Sequence, residues 1–417
     1  MSKTVSCLFL AVILVLASFS TANAEFDIDG LLEILIEDEV DNENDSREDT
    51  DEEVDEFEEF ESPVLLLGEP GSKEVLVERE IDKKVYPASI TKIMTLLVAM
   101  EHIEEGKASF EDEVVISKNA EGVVGTTLFL EKGKTLTLKD LLKGIAVGSA
   151  NDASIAVAEY ISGSVSGFVE EMNRKAKELG MDNTNFKNPH GLHHDDHYTS
   201  ARDIFKMSTE LVKYGQVLDW FRIWLDESFL EGVIDEEGVY LSNTNKLIDW
   251  YPNCDGLKTG FTDEAGYGIS ATAKRDDRRF ISIVLESENS EERFDEAADL
   301  LDYGFSNYEV ENIYPAGDVL KEVPVNKGDK QNVNAVAADN LSVIYERGDD
   351  VDVDVEIELD SEILDAPIEK GQKIGKAYFD HSNKRTEVDL IAEQEISRGT
   401  YSDFFGRIIE NWVKFGD

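Results

Sequence analysis

Apolar residues change their spacing several times along the chain, and each change predicts a different element. Val64-Leu65-Leu66-Leu67 and Glu74-Val75-Leu76-Val77 flank Gly68-Glu69-Pro70-Gly71, which predicts two strands around a turn. Over 89–105 the apolar positions recur at helical spacing, and Gly106 fits the helix end. Stretches 138–147, 153–160, 168–179 and 201–214 are also helical in period, with Gly180 closing the third. Segments 266–273 and 279–285 alternate like strands on either side of Asp276-Asp277, a hairpin. Strands at both ends with helices between them predict an α+β fold, a helix-flanked antiparallel sheet. Beyond residue 308 the pattern becomes short strand-like runs at 319–325, 333–338, 341–345, 351–359 and 373–379, a small all-β domain.

Both ends differ from the body. Lys3, an apolar run from Cys7 to Ala17, and the small-x-small triplet Ala22-Asn23-Ala24 predict a signal peptide over 1–24, with a mature start at Glu25. That run is short for a transmembrane helix, and a retained N-terminal anchor is the alternative. At the other end, Phe404, Phe405, Ile408, Ile409 and Trp412 share one helical face. Asp403, Arg407, Glu410, Asn411 and Lys414 share the other. Such an aromatic stripe suits a helix lying in a membrane interface, and packing on its own domain is the alternative. The expected organisation is signal peptide 1–24, acidic disordered spacer 25–62, catalytic domain 63–308, all-β domain 309–395 and amphipathic membrane-associating helix 396–417.

Charge narrows the possible partners. The formal net charge is -50. Within 25–62 the only cation is Arg47, and 37–62 is too poor in apolar residues to pack. The acidic excess continues through the globular body, which excludes nucleic acid as a partner. Self-repulsion of this size opposes the compact state, and salt screens it. Removing Cys7 with the signal leaves Cys254 alone, so no internal disulfide forms. Cys254 stands four residues before Lys258, but a buried free thiol is the expected state, not a nucleophile.

Candidate chemistry lies in three short motifs. In Ser89-Ile90-Thr91-Lys92 the spacing puts a hydroxyl and an amine on one helix face, a nucleophile beside its base. Average usage gives about one S-x-x-K by chance in a chain of this length, and a helix cap plus a surface lysine would read the same way. Lys92 can take the Ser89 proton only if its pKa falls, through burial or a neighbouring cation such as Lys258. Ser149-Ala150-Asn151 falls between two helices, where a hydroxyl and an amide can face one cleft, relay a proton and hold a substrate amide. Lys258-Thr259-Gly260 precedes the hairpin; a cation and a hydroxyl suit a substrate carboxylate, and the glycine lets a strand approach closely. His190, His193, His194 and His197 with Asp195 and Asp196 look like a metal site, yet Pro189 and Gly191 make that stretch a loop without helical ligand spacing.

Together the motifs resemble the serine-type D-alanyl-D-alanine carboxypeptidases, the low-molecular-mass penicillin-binding proteins. The resemblance extends to Tyr86-Pro87-Ala88-Ser89, Gly148-Ser149-Ala150-Asn151-Asp152-Ala153, Asn188-Pro189-His190-Gly191-Leu192 and Asp255-Gly256-Leu257-Lys258-Thr259-Gly260-Phe261-Thr262. Residues 365–375 look like that family's C-terminal β domain, and coverage runs from Pro63 to Asp417. The resemblance implies a penicillin-recognising fold and an acyl-enzyme on Ser89, with Lys92 as general base. Ser149 and Asn151 would complete the relay. Lys258, Thr259 and Gly260 would receive the substrate carboxylate, with the Ser89 and Phe261 N–H groups as oxyanion donors. It implies a peptidoglycan stem peptide ending in D-Ala-D-Ala as substrate, β-lactams as inhibitors, and neither cofactor nor metal. Ala150 departs from the glycine frequent in that family. No E-x-x-L-N loop lies between Asn151 and Lys258, which argues against a class A β-lactamase. A DD-transpeptidase shares the same acylation, and a catalytically silent wall-binding protein would have lost Ser89 or Lys92.

Overall fold

In the computed structural model the described residues are 57, 59–230, 240–349, 354–381, 384–402 and 405. The signal peptide, nearly all of the acidic spacer and most of the terminal amphipathic segment lie outside them. Two strands lead: β1 (Val64–Glu69) and β2 (Glu74–Arg79). A 3-10 turn over Ala88–Thr91 feeds α1 (Lys92–Glu104), followed by α2 (Leu138–Gly148), α3 (Asn151–Ser162), α4 (Val165–Glu178), α5 (Ala201–Leu211) and α6 (Gly215–Phe221). The chain then returns to the sheet as β3 (Cys254–Thr262), β4 (Gly266–Arg275) and β5 (Arg278–Ser287), and α7 (Glu292–Asn307) closes this half.

The sheet order is β2-β1-β5-β4-β3. Its neighbours are antiparallel, with Leu65 opposite Val284 and Lys258 opposite Ser270. This is the helix-flanked antiparallel sheet that the apolar pattern predicts. β1 is apolar at four successive positions because both of its faces are covered. Adjacent residues of a strand face opposite ways. Gly68 gives room to Phe205 of α5, where an added Cβ would stand 2.6 Å from the ring. Leu67 meets Gly304 of α7 on the other face, with Leu67 Cδ2 3.2 Å from a Cβ built there. The helical half packs around α1, whose Ile93, Met94, Leu96, Leu97 and Ala99 are fully or almost fully buried.

The hairpin turn at Asp276-Asp277 forms as expected, with Asp276 at φ 55° and Arg275 opposite Arg278. Two expectations need correction. Ser89 lies inside the 3-10 turn, and the α-helix begins only at Lys92. Helix α5 stops at Leu211 and α6 follows separately. Lys258-Thr259-Gly260 precedes the hairpin as expected and forms the middle of β3, buried from Cys254 to Gly260.

The second half is all β. It comprises β6 (Tyr308–Tyr314), β7 (Val319–Asn326), β8 (Asn332–Ala337), β9 (Leu341–Glu346), β10 (Asp354–Leu359), β11 (Leu364–Asp365), β12 (Lys373–His381) and β13 (Lys384–Ala392). Strands β6 and β9 pair, and the others order as β10-β12-β13-β8-β7-β11 around a core that includes Val323, Ile374 and Leu390. Backbone pairing continues to Gly399, whose N–H donates to Lys327 O at 2.8 Å. Residues 396–399, assigned by pattern to the terminal helix, therefore belong to this β layer. At the other boundary Glu61 and Ser62 join the catalytic half, their N–H groups donating to Glu296 Oε1 at 2.7 and 3.1 Å.

Candidate active site

The Ser89 turn is held by backbone on two sides. Gly260 of β3 passes so close that a Cβ there would lie 2.8 Å from Pro87 O and 3.1 Å from Ala88 Cβ. Gly191, at φ +88°, comes from the loop before α5, where a Cβ would lie 1.8 Å from Ala88 O and 3.0 Å from Ser89 N. Ala88 itself has φ 44°, a left-handed conformation sustained by this confinement. Gly191→Ala should therefore displace the Ser89 peptide and slow acylation about 100-fold, since a 1 Å misplacement costs that much. The rate of β-lactam labelling checks this; an unchanged rate would remove the clamp.

Lys92 is fully buried. Its Nζ lies 2.9 Å from Ser89 Oγ, 2.8 Å from Asn151 Oδ1 and 2.7 Å from His190 O. The last two groups can only accept, so they take two N–H bonds. In the neutral amine the third direction is the lone pair, and it faces the Ser89 hydroxyl. Burial pushes the Lys92 pKa well below its ordinary value, and the nearby Lys258 cation pushes it further; Asp152 opposes both.

Asn151 opens α3, and its Nδ2 donates to Val124 O at 2.7 Å. Its backbone N–H donates to Thr126 O, also at 2.7 Å. The loop over 124–126 thus closes across it, and Gly125 at φ +95° leaves the space, since a Cβ there would meet Asn151 Nδ2 at 2.6 Å. Asp152 is buried and extends the tie, accepting from Leu128 N at 2.9 Å and Leu130 N at 3.1 Å. Ser149 is buried at the turn between α2 and α3, at φ 60°. Among the described residues its hydroxyl makes no hydrogen bond to Ser89 or Lys92.

β3 carries the second buried lysine. Its start is fixed by the buried Asp255, which accepts from Arg279 Nη1 and Nη2 at 2.6 and 2.7 Å and from Arg222 Nη2 at 3.0 Å. Lys258 is fully buried, with Nζ 3.2 Å from Thr244 Oγ1. Burial lowers its pKa to about 7, and the Arg293 charge adds to the effect. The Thr259 hydroxyl donates to Thr244 Oγ1 at 2.8 Å. Arg293, from α7, donates to Gly260 O and Gly268 O at 3.0 and 3.1 Å and so ties β3 to β4 behind the site. Phe261 is half-exposed at the strand end and stacks on Tyr267 at 4.3 Å.

The four loop histidines have separate duties. His197 Nδ1 accepts from Lys187 N, so its Nε2 carries the proton and donates to Thr91 Oγ1 at 2.8 Å. Burial lowers its pKa to about 4 and that of His190 to about 3, so both are neutral. His193 meets Asp195 at 3.3 Å and the Tyr86 ring edge at 4.7 Å, while His194 Nδ1 accepts from Asp196 N. Among the described residues, no group of three or more His, Cys, Asp or Glu side chains is placed to hold a metal ion. Cys254 is buried, and burial pushes its thiol up to about 12.

The Ser89 hydroxyl, a desolvated amine 2.9 Å away and a second buried lysine now stand together. The family model for D-alanyl-D-alanine carboxypeptidase matches residues 51–289, and that for the penicillin-binding protein 5 C-terminal domain matches 308–398. The chain belongs to the D-alanyl-D-alanine carboxypeptidase family. It is 38% identical over 359 residues to D-alanyl-D-alanine carboxypeptidase DacF of Bacillus subtilis, covering 86% of this chain and 91% of that one. It is 35% identical over 353 residues to DacC of Escherichia coli, covering 82% and 85%. Among solved structures, penicillin-binding protein 5 of Haemophilus influenzae is similar with TM-score 0.64 and 31% identity, covering 81% of this chain and 98% of that one. Penicillin-binding protein D2 of Listeria monocytogenes, in its ampicillin-bound form, matches 59% of this chain and 98% of its own, with TM-score 0.52 and 30% identity. A D-alanyl-D-alanine carboxypeptidase is a serine peptidase, and this member brings Ser89, Lys92 and Asn151 into hydrogen-bond contact. Lys258 and Thr259 adjoin them across Gly260. The motifs named neither Thr244 nor Arg293 nor the clamping role of Gly191; only the positive-φ glycine inside Asn-Pro-His-Gly-Leu offered a signal.

Proposed function

We propose that this chain is a serine DD-carboxypeptidase that trims the terminal D-alanine from peptidoglycan stem peptides through an acyl-enzyme on Ser89. The supporting observation is the desolvated Lys92 amine, 2.9 Å from Ser89 Oγ, with Asn151 and His190 occupying its other donor directions. Ser89 Oγ attacks the carbonyl of the penultimate D-alanine while Lys92 takes its proton. The Ser89 and Phe261 N–H groups receive the developing oxyanion. Lys92 returns the proton through Ser149 to the departing D-alanine nitrogen, and water then cleaves the ester. Lys258 holds the terminal carboxylate through a charge-assisted contact, with the Thr259–Thr244 hydroxyl pair beside it. β-Lactams, which carry a strained amide and a carboxylate, acylate the same serine; the ampicillin-bound Listeria relative supports this reading. The test is D-alanine release from a peptide ending in Lys-D-Ala-D-Ala, in high salt. Penicillin labelling without release would replace hydrolysis with strand-joining transpeptidation.

The enzyme acts outside the cytoplasm, as a cell-wall enzyme, exported by residues 1–24 and held peripherally on the membrane by the stripe within 396–417. Among the described residues no helix is long and apolar enough to cross a membrane. Truncation after Arg398 should free the enzyme from lipid vesicles with its turnover intact. Continued co-sedimentation with vesicles would refute the anchor.

A further inference from the structure

A short segment distant in sequence from every motif supports the carboxylate end of the site. Asn243 and Asn245 are both buried. Asn243 Nδ2 donates to Phe221 O at 2.8 Å and Ile223 O at 3.0 Å, which fixes the segment to the end of α6. Its Oδ1 accepts from Asn245 N at 2.9 Å. Asn245 Nδ2 donates to Gly256 O at 3.0 Å, which fixes it to β3, and its Oδ1 accepts from Leu247 N at 3.1 Å. Two asparagines whose side chains bond on both sides thus lock the one residue between them, Thr244.

Thr244 is only partly buried, beside the buried Lys258 and Thr259. Its oxygen accepts from Lys258 Nζ at 3.2 Å and from Thr259 Oγ1 at 2.8 Å. A hydroxyl has two acceptor sites and one hydrogen. Both acceptor sites are occupied, and among the described residues no group takes the hydrogen. The proton arithmetic has a consequence for substrate recognition. With the Thr259 hydrogen directed at Thr244, the hydroxyl pair has one free O–H, and it belongs to Thr244.

We propose that Thr244 is a specificity-determining residue of the carboxylate subsite. Its oxygen aligns the Lys258 amine and the Thr259 hydroxyl, and its O–H donates to the substrate carboxylate. This inference rests on the carboxypeptidase reading of the same cleft. Thr244 adds a donor where the substrate has acceptors alone, and the paired asparagines prepay the ordering of that donor.

The test compares wild type, Thr244→Val and Thr244→Ser on two peptides, one ending in D-Ala-D-Ala with a free carboxylate and one with the terminal carboxamide. Thr244→Val should lower kcat/KM on the free acid about 10- to 100-fold, mainly through KM, the scale of a lost hydrogen bond to a charged group. The carboxamide rate should change less than about 3-fold, and Thr244→Ser should restore the free-acid rate, since it keeps the hydroxyl. Equal losses on both peptides would make Thr244 a structural residue and overturn the proposal. No loss on the free acid would overturn it as well. The second-order rate of acylation by benzylpenicillin, against its methyl ester, gives the same comparison without turnover. Absence of D-alanine release from wild type would therefore refute the carboxypeptidase reading while the acylation rates still decide the role of Thr244.

Discussion

Ser89→Ala should release no measurable D-alanine and take up no labelled penicillin, a fall of about 10⁴-fold or more, as expected when a lone nucleophile is lost. The side chain carries little of the fold. Among the described residues the Ser89 side chain has one hydrogen-bond partner, Lys92, while its turn is held by backbone contacts with Gly260 and Gly191. The variant should therefore melt within a few degrees of wild type. Residual penicillin labelling of the folded variant would move the nucleophile elsewhere.

Lys92→Met should be nearly as damaging, about 10³-fold in acylation, the range for a positioned general base. It leaves Asn151 Oδ1 and His190 O without the donor they now share, but it also removes an amine that burial makes costly to charge. Activity should thus fall far more than stability. The pH profile separates the two lysines. In the proposed mechanism Lys92 is the neutral base, so kcat/KM should rise with pH through its depressed pKa. In that mechanism Lys258 binds as the cation, and burial lowers its pKa to about 7, so kcat/KM should fall above that pH. A bound carboxylate favours the charged form of Lys258, so the alkaline limb of kcat should lie at higher pH than that of kcat/KM. Coincident alkaline limbs would detach Lys258 from carboxylate binding.

Much of this architecture is legible in the chain because its signals are local. The helical period of the residues that form α2 to α5, the alternation of β4 and β5 and the spacing of Ser89 to Lys92 need no distant partner. β3 is the less legible element. Cys254 to Thr262 contains two glycines, a lysine and two threonines, too polar a composition to show the alternation of a strand. It is a strand because its polar groups find buried partners from elsewhere: Arg279 and Arg222 on Asp255, Thr244 on Lys258 and Arg293 on the Gly260 carbonyl. Those partners are supplied by tertiary structure, and no local pattern reports them. The histidine-rich loop misleads in the opposite direction, since four imidazoles close in sequence divide among Thr91, Leu192, Asp195 and Asp196. The 3-10 start at Ser89 was hidden too, because Gly191 and Gly260 impose it from outside the segment.

The glycine clamp around the nucleophile separates two kinds of heritable change. Ser89 is positioned by main-chain packing, which tolerates no added atom on either side. Val124, Phe261 and Thr244 present side chains at exposed or half-exposed positions around it. Substitutions among those rim residues can retune which peptide or antibiotic is accepted without moving the reacting oxygen. Drift in ligand preference is therefore open to this enzyme along routes that do not first cross an inactive ancestor.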